Sequence, residues 1–217
     1  NMGSLTGVSG DLDISGNTSA AAIGLGSLTT VGGDLILSGN TNVGAINMGS
    51  LTTVSGDLTI TSNAPDAVVD LNSLTAFGCG ANEVTMTLDG GTVQVTNGLT
   101  LCTNATLTGS TTLDGSVTNN GTIEPGASPG RLDLTGYLVL ANSSRLRLEI
   151  GGSAPGQFDV VNVTRQVLGN LASHFGERLR AAIRQTNRAA LDAAGRDLLS
   201  LASDLDEETA LKYIDRF

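Results

Sequence analysis

The chain has no tryptophan, and aromatic residues make up only 3% of its 217 positions. Large rings dominate broad globular cores, so this composition points instead to a narrow interior filled by Val, Ile and Leu. Charged residues are also sparse, at 15%. Basic ones are sparser still before position 165, where Arg131, Arg145 and Arg147 stand alone and eight of the eleven Lys and Arg are still to come. The eight acidic residues of 165–217 balance those cations, so the preceding region carries the whole formal charge of −10. That balance argues against nucleic acid and anionic membrane surfaces as partners. No run of about 18 apolar residues is present to cross a bilayer as a helix, so no transmembrane segment is expected.

Catalytic signatures are missing as well. H-E-x-x-H, a Walker loop and paired C-x-x-C are all absent. "GASPG" at 126–130 has the spacing of a nucleophile elbow, but that elbow needs a backbone N–H on the residue after the serine, and here that residue is Pro129. The single histidine, His174, falls far down the chain and reads as a surface or packing residue. β-Helical enzymes that cleave acidic polysaccharides need clustered carboxylates beside basic side chains, and three arginines offer little for holding an acidic polymer. The expectation is therefore no enzyme, no catalytic residue, no metal and no cofactor, with a polysaccharide-acting β-helix enzyme as an alternative.

What the sequence does contain is a repeat. Ser-Leu-Thr begins at Ser4, Ser27, Ser50 and Ser73, a constant 23-residue spacing, and Gly10, Gly33 and Gly56 keep the same beat. So do Asp11, Asp34 and Asp57, and Asn17, Asn40 and Asn63. A fixed period within the range of roughly 20 to 50 residues marks a solenoid whose units lean their apolar faces on one another. Leu35 and Leu37 alternate with polar neighbours, as do Leu58 and Ile60, which is the pattern of short strands with one face buried. Gly and Asn fall where the chain must turn. The predicted fold is mainly β, a right-handed parallel β-helix with 23-residue coils.

Stacked strands repeat at about 4.8 Å, so residues one period apart become ladders along the rod. Asn17, Asn40 and Asn63 are expected to form a structural asparagine ladder, each amide bonding to its own turn or the next. Asp11, Asp34 and Asp57 would stack too, and must be solvated, bonded to turn amides or bridged by a cation; solvation is the preferred reading, because no second acidic ligand recurs at the same period. Cys79 and Cys102 are separated by that same period. If one coil separates them, their Cα atoms come within reach of a disulfide, which fits an oxidising compartment; the alternative is two buried thiols, should the coil length change after residue 78. Thr6, Thr29, Thr52 and Thr75 would form a threonine rank of the kind an ice-binding face uses. Such a face needs two ranks, and the neighbouring one runs Gly7, Thr30, Thr53, Ala76, so ice binding is a minor alternative here.

The wording S-L-T-x-V-x-G-D-L-x-I-S-x-N over residues 1–78 resembles the repeat of receptor L domains and related bacterial and fungal surface proteins, leucine-rich-repeat-like β-helices. The resemblance implies a surface or binding role and names no ligand. From about Asn82 the words change while alternating strands continue. Gly121 to Gly130 and Gly152 to Asp159 carry turns similar to those at the end of a bacterial autotransporter-type passenger β-helix, which implies a secreted or surface-displayed stalk; residues 165–217 are not expected to form the membrane barrel into which such passengers continue.

Residues 165–217 are of another kind. Leu171, Phe175, Leu179 and Ile183 recur every four residues, and Leu191, Leu198, Leu201 and Leu205 continue an apolar face, predicting amphipathic helices with Asp206 as an N-cap. Three segments result: a 23-residue-repeat solenoid over 1–78, an autotransporter-like continuation over 79–164, and an α-helical tail over 165–217 acting as cap, oligomerisation segment or fused element. "NMGSLTGVSGDL" enters mid-coil with no signal peptide visible, so the chain is expected to lack its native beginning. The function expected is a non-catalytic, adhesin-like stalk, extracellular or on a bacterial cell surface. Its expected partners are a host or cell-surface protein or glycan, and further copies of itself held through 165–217.

Overall fold

A computed structural model describes residues 2–126, 129–149 and 157–163. All belong to one compact unit, Asn1–Gln166; a second unit, Val167–Phe217, falls outside the described residues. The expected helices, His174 and the Asp206 cap lie in that second unit.

The described chain is a parallel β-solenoid. Its first coil contributes β1 (Gly7–Val8), β2 (Leu12–Asp13) and β3 (Ala22–Gly24); the second, β4 (Thr30–Val31), β5 (Leu35–Ser38) and β6 (Ala45–Asn47); the third, β7 (Thr53–Val54), β8 (Leu58–Thr61) and β9 (Val68–Asp70). Then follow β10 (Ala76–Phe77), β11 (Val84–Leu88), β12 (Thr92–Leu101), β13 (Ala105–Gly109), β14 (Thr111–Asn119), β15 (Thr122–Pro125), β16 (Arg131–Leu134), β17 (Leu138–Leu140), β18 (Arg145–Leu146) and β19 (Val160–Val163). Strands stack into three faces. The first begins β1-β4-β7, the second runs β2-β5-β8-β11-β13-β15-β18, and the third runs β3-β6-β9-β12-β14-β16-β19.

Through the first three coils the register follows the sequence period: Leu12 lies opposite Leu35 and Leu35 opposite Leu58, while Ala22 lies opposite Ala45 and Ala45 opposite Val68. Beyond residue 78 the period gives way but the stacking does not. On the second face Leu58 meets Met86, Val84 meets Ala105 and Thr106 meets Thr122, so the step first lengthens and then shortens twice. The long step comes from extra residues between β10 and β11. The short ones come from tightened corners, above all the one between the second and third faces, where Met86 and Val93 stand closer in sequence than Leu58 and Val69 do. The corner between the third and first faces changes in form: in the early coils it is a separate turn, closed by Leu28 N–H to Leu25 O and Leu51 N–H to Met48 O, both 2.9 Å. In the later coils β12 and β14 run straight round it, so β12 pairs with β9 on the third face and with β10 on the first. Gly98 (φ 86°) and Gly115 (φ 150°) make these bends, and a Cβ on Gly115 would strike the Val95 carbonyl.

Inward side chains form continuous columns. Along the second face Leu35, Leu58, Met86, Leu107 and Ile123 stack in register, each no more than 1% exposed. Ile46, Val69, Val93 and Leu113 stack likewise on the third, none more than 2% exposed. Aliphatic side chains suffice because the coil is narrow, and each fully buried Leu or Ile contributes about 2 kcal/mol. The scarcity of aromatics is thereby explained. Phe77 is the single ring in the buried core of the described residues.

Candidate binding surface

The turns of the first coils are tied together by side chains. Asn17 donates from its backbone N–H (2.9 Å) and its Nδ2 (3.1 Å) to Oδ1 of Asn40; Asn40 donates likewise to Oδ1 of Asn63, at 3.2 and 3.0 Å. Nδ2 of Asn40 also reaches the Ile14 carbonyl at 2.9 Å, and that of Asn63 the Leu37 carbonyl at 2.9 Å. Asn40 is fully buried. A polar group with no water nearby is tolerated only because every site on it is used. Replacing Asn40 with Ala removes four side-chain hydrogen bonds and leaves the Ile14 carbonyl and the Asn17 N–H without their partner, and we expect a loss of about 2 kcal/mol, read as a shifted urea midpoint. A shift no larger than that of an exposed control such as Thr30→Ala would contradict the ladder's contribution.

The aspartates are arranged differently. Oδ1 of Asp11 accepts the Asp34 N–H at 2.9 Å, Oδ1 of Asp34 the Asp57 N–H at 2.8 Å, and Oδ1 of Asp57 the Thr85 N–H at 2.7 Å. Each carboxylate therefore caps a backbone donor of the following coil, which offsets their stacking. Asp57 extends the ladder across the change of coil length. A Cβ on Gly33 would collide with the Asp11 carboxylate and one on Gly56 with that of Asp34, so the Gly-Asp pair is a single device. No group of three His, Cys, Asp or Glu suited to a metal ion occurs among the described residues.

Cys79 and Cys102 form a disulfide with Cα atoms 5.0 Å apart. It crosses one coil where the regular repeat ends, and Cys102 N–H also donates to the Phe77 carbonyl at 2.9 Å. Beside it lies an open recess of about 440 Å³, lined by Thr53, Ser55, Ala76, Gly80, Asn82 and Val84 among others.

Two buried polar residues near the end of the described region escaped the ladder reasoning. Asn119 points inward opposite Leu140 and Leu101, with Nδ2 on the Arg145 carbonyl at 3.2 Å and Oδ1 accepting the Gly121 N–H at 3.0 Å. No period announces it, because the coils around it differ in length. Asp159 accepts the Gly130 N–H at 2.7 Å and the Glu149 N–H at 2.8 Å, joining the segment before β19 to two earlier turns. The three arginines lie on the outer surface. Arg131 makes a paired contact with Asp133 at 2.7 and 2.8 Å, which holds that carboxyl below its ordinary range, and Arg147 pairs with Glu124.

The outward faces differ in character. On the first, Thr29 and Thr52 turn their hydroxyls back to the carbonyls of Thr6 (2.8 Å) and Thr29 (3.0 Å), so the two middle members of the rank expected from the sequence are bonded to the protein's own backbone. On the second, Thr59, Thr85, Thr87, Thr106, Thr108 and Thr122 alternate with buried residues and are half-buried. No helix among the described residues is long and apolar enough to cross a membrane.

Against known families, residues 138–212 match the model of the alpha-N-acetylglucosaminidase (NAGLU) C-terminal domain. The match covers less than half of the chain, taking in β17 to β19 and continuing beyond the described residues. No curated protein and no solved structure matches the chain.

Proposed function

We propose that the chain is a non-catalytic β-solenoid stalk, secreted or exposed on a bacterial cell surface, that presents its outward faces to a host or cell-surface protein or glycan in the manner of an adhesin. The observation that carries this reading is the continuous apolar column held coil to coil by hydrogen-bonded ladders and by a disulfide. Such a rod resists local opening, since each coil is held by the coils on both sides of it. A cystine favours an oxidising setting, and the net negative charge suits a solvated surface. The resemblances to receptor L domains over 1–78 and to autotransporter-type passengers over 82–164 point the same way, and residues 165–217 would hold copies together.

The test is accessibility on intact source cells. Labelling with a membrane-impermeant amine reagent should reach the chain without lysis, or the chain should be found in the medium. Labelling only after lysis would overturn the reading. The NAGLU C-terminal domain match favours one other reading, a module attached to or acting on glycans enzymatically; release of sugars from a polysaccharide panel by the purified chain would replace the stalk with that alternative.

A further inference from the structure

Sequence periodicity places the candidate threonine rank on the first face, where the hydroxyls of Thr29 and Thr52 are already used. The register of the later coils assembles another on the second face. Thr87 lies opposite Thr59 and Thr108 opposite Thr87, forming one rank; Thr106 lies opposite Thr85 and Thr122 opposite Thr106, forming a second beside it. These six threonines span β8, β11, β13 and β15. No hydroxyl among them has a hydrogen-bond partner within the described protein, unlike those of Thr29 and Thr52. Asp57 closes the block at one end, and Glu124, paired with Arg147, closes it at the other.

The alignment is not inherited from duplication. The steps from Thr59 to Thr87, from Thr87 to Thr108 and from Thr106 to Thr122 all differ in length, so no single repeat copies threonine into each place. Strand propensity alone is also insufficient, since it acts on all faces. The third face shows Ala45, Val68, Thr92 and Thr112 at its corresponding outward positions, and the first face breaks at Ala76.

We propose that this part of the second face binds ice, its ligand being the ordered water lattice of a crystal surface. Neighbouring strands set the hydroxyls about 4.8 Å apart across the ranks, and residues two apart along a strand are separated by about 6.6 Å. Those two spacings approximate the repeats of hexagonal ice. β-Branched side chains on a sheet are stiff at χ1, so hydroxyls and methyls are held in place before contact, which lowers the entropy lost on binding. The block itself carries no charge, whereas a charged side chain would keep its own hydration shell and disrupt the lattice. This function is separate from the stalk reading, and each can fail without the other.

The experiment is nanolitre osmometry on the full chain, with crystal shape recorded. Faceted crystals and a gap between melting and growth temperatures are expected. Thr106→Lys should abolish both, and Thr53→Lys on the first face should leave both intact, with thermal melts confirming that each variant is folded. Round crystals and no gap for the unaltered chain would overturn the proposal whatever the variants do. Equal loss in Thr53→Lys and Thr106→Lys would overturn it too.

Discussion

Replacing Leu58 with Asp is expected to cost at least about 4 kcal/mol and to lower the melting temperature by roughly 10 °C or more. Leu58 is fully buried in the middle of the second-face column, between Leu35 and Met86. The substitution removes its methyl contacts on both sides and places a carboxylate where no donor is available. In a solenoid each coil is also the floor of the next, so damage at one level weakens both neighbours, and the melt should broaden or split. Leu58→Met keeps the volume and should cost under about 1.5 kcal/mol. A melt of Leu58→Asp within two or three degrees of the unaltered chain would mean that this column is not a core.

Opening the disulfide should have the next largest effect. The bond between Cys79 and Cys102 closes a chain segment of 23 residues, and removing such a constraint from the unfolded state destabilises by roughly 3 kcal/mol. Cys102→Ser and a reduced sample of the unaltered chain should therefore melt lower by similar amounts, and reductant should add nothing to the variant. The bond joins the coil that ends the regular repeat to the first that departs from it, so its loss should loosen the seam before the ends. Native-state hydrogen exchange would show this as faster exchange at Phe77 and Leu101 than at Leu35. Equal melting with and without reductant would contradict this account of the seam.

The first three coils were readable in the sequence because a strict period converts directly into register. Once Leu35 and Leu58 are known to be one period apart and both apolar, their stacking follows. So does the meeting of Asn40 and Asn63. The bonding pattern did not follow. Spacing alone leaves an aspartate open to solvent, a turn amide or a cation, and only the backbone path shows that Asp34 faces the Asp57 N–H. Beyond residue 78 the alternation of apolar and polar residues still marks strands, but the register is set by corner geometry. An insertion before β11 and a shortened corner between β11 and β12 change the coil length without changing the strand pattern. Counting one further period from Leu58 reaches Ala81, whereas its partner is Met86. The threonine block of the second face was hidden for the same reason, its members being in step in space and out of step in sequence.

The central claim is that coils of unequal length share one stacked column, and the Leu58–Met86 contact tests it most directly. In a methyl-labelled sample, nuclear Overhauser spectra should show cross-peaks between the Leu58 δ-methyls and the Met86 ε-methyl, and between Met86 and Leu107. Absence of both, with Leu58 instead in contact with Ala81, would show that the 23-residue register continues past residue 78 and that the column described here is wrong.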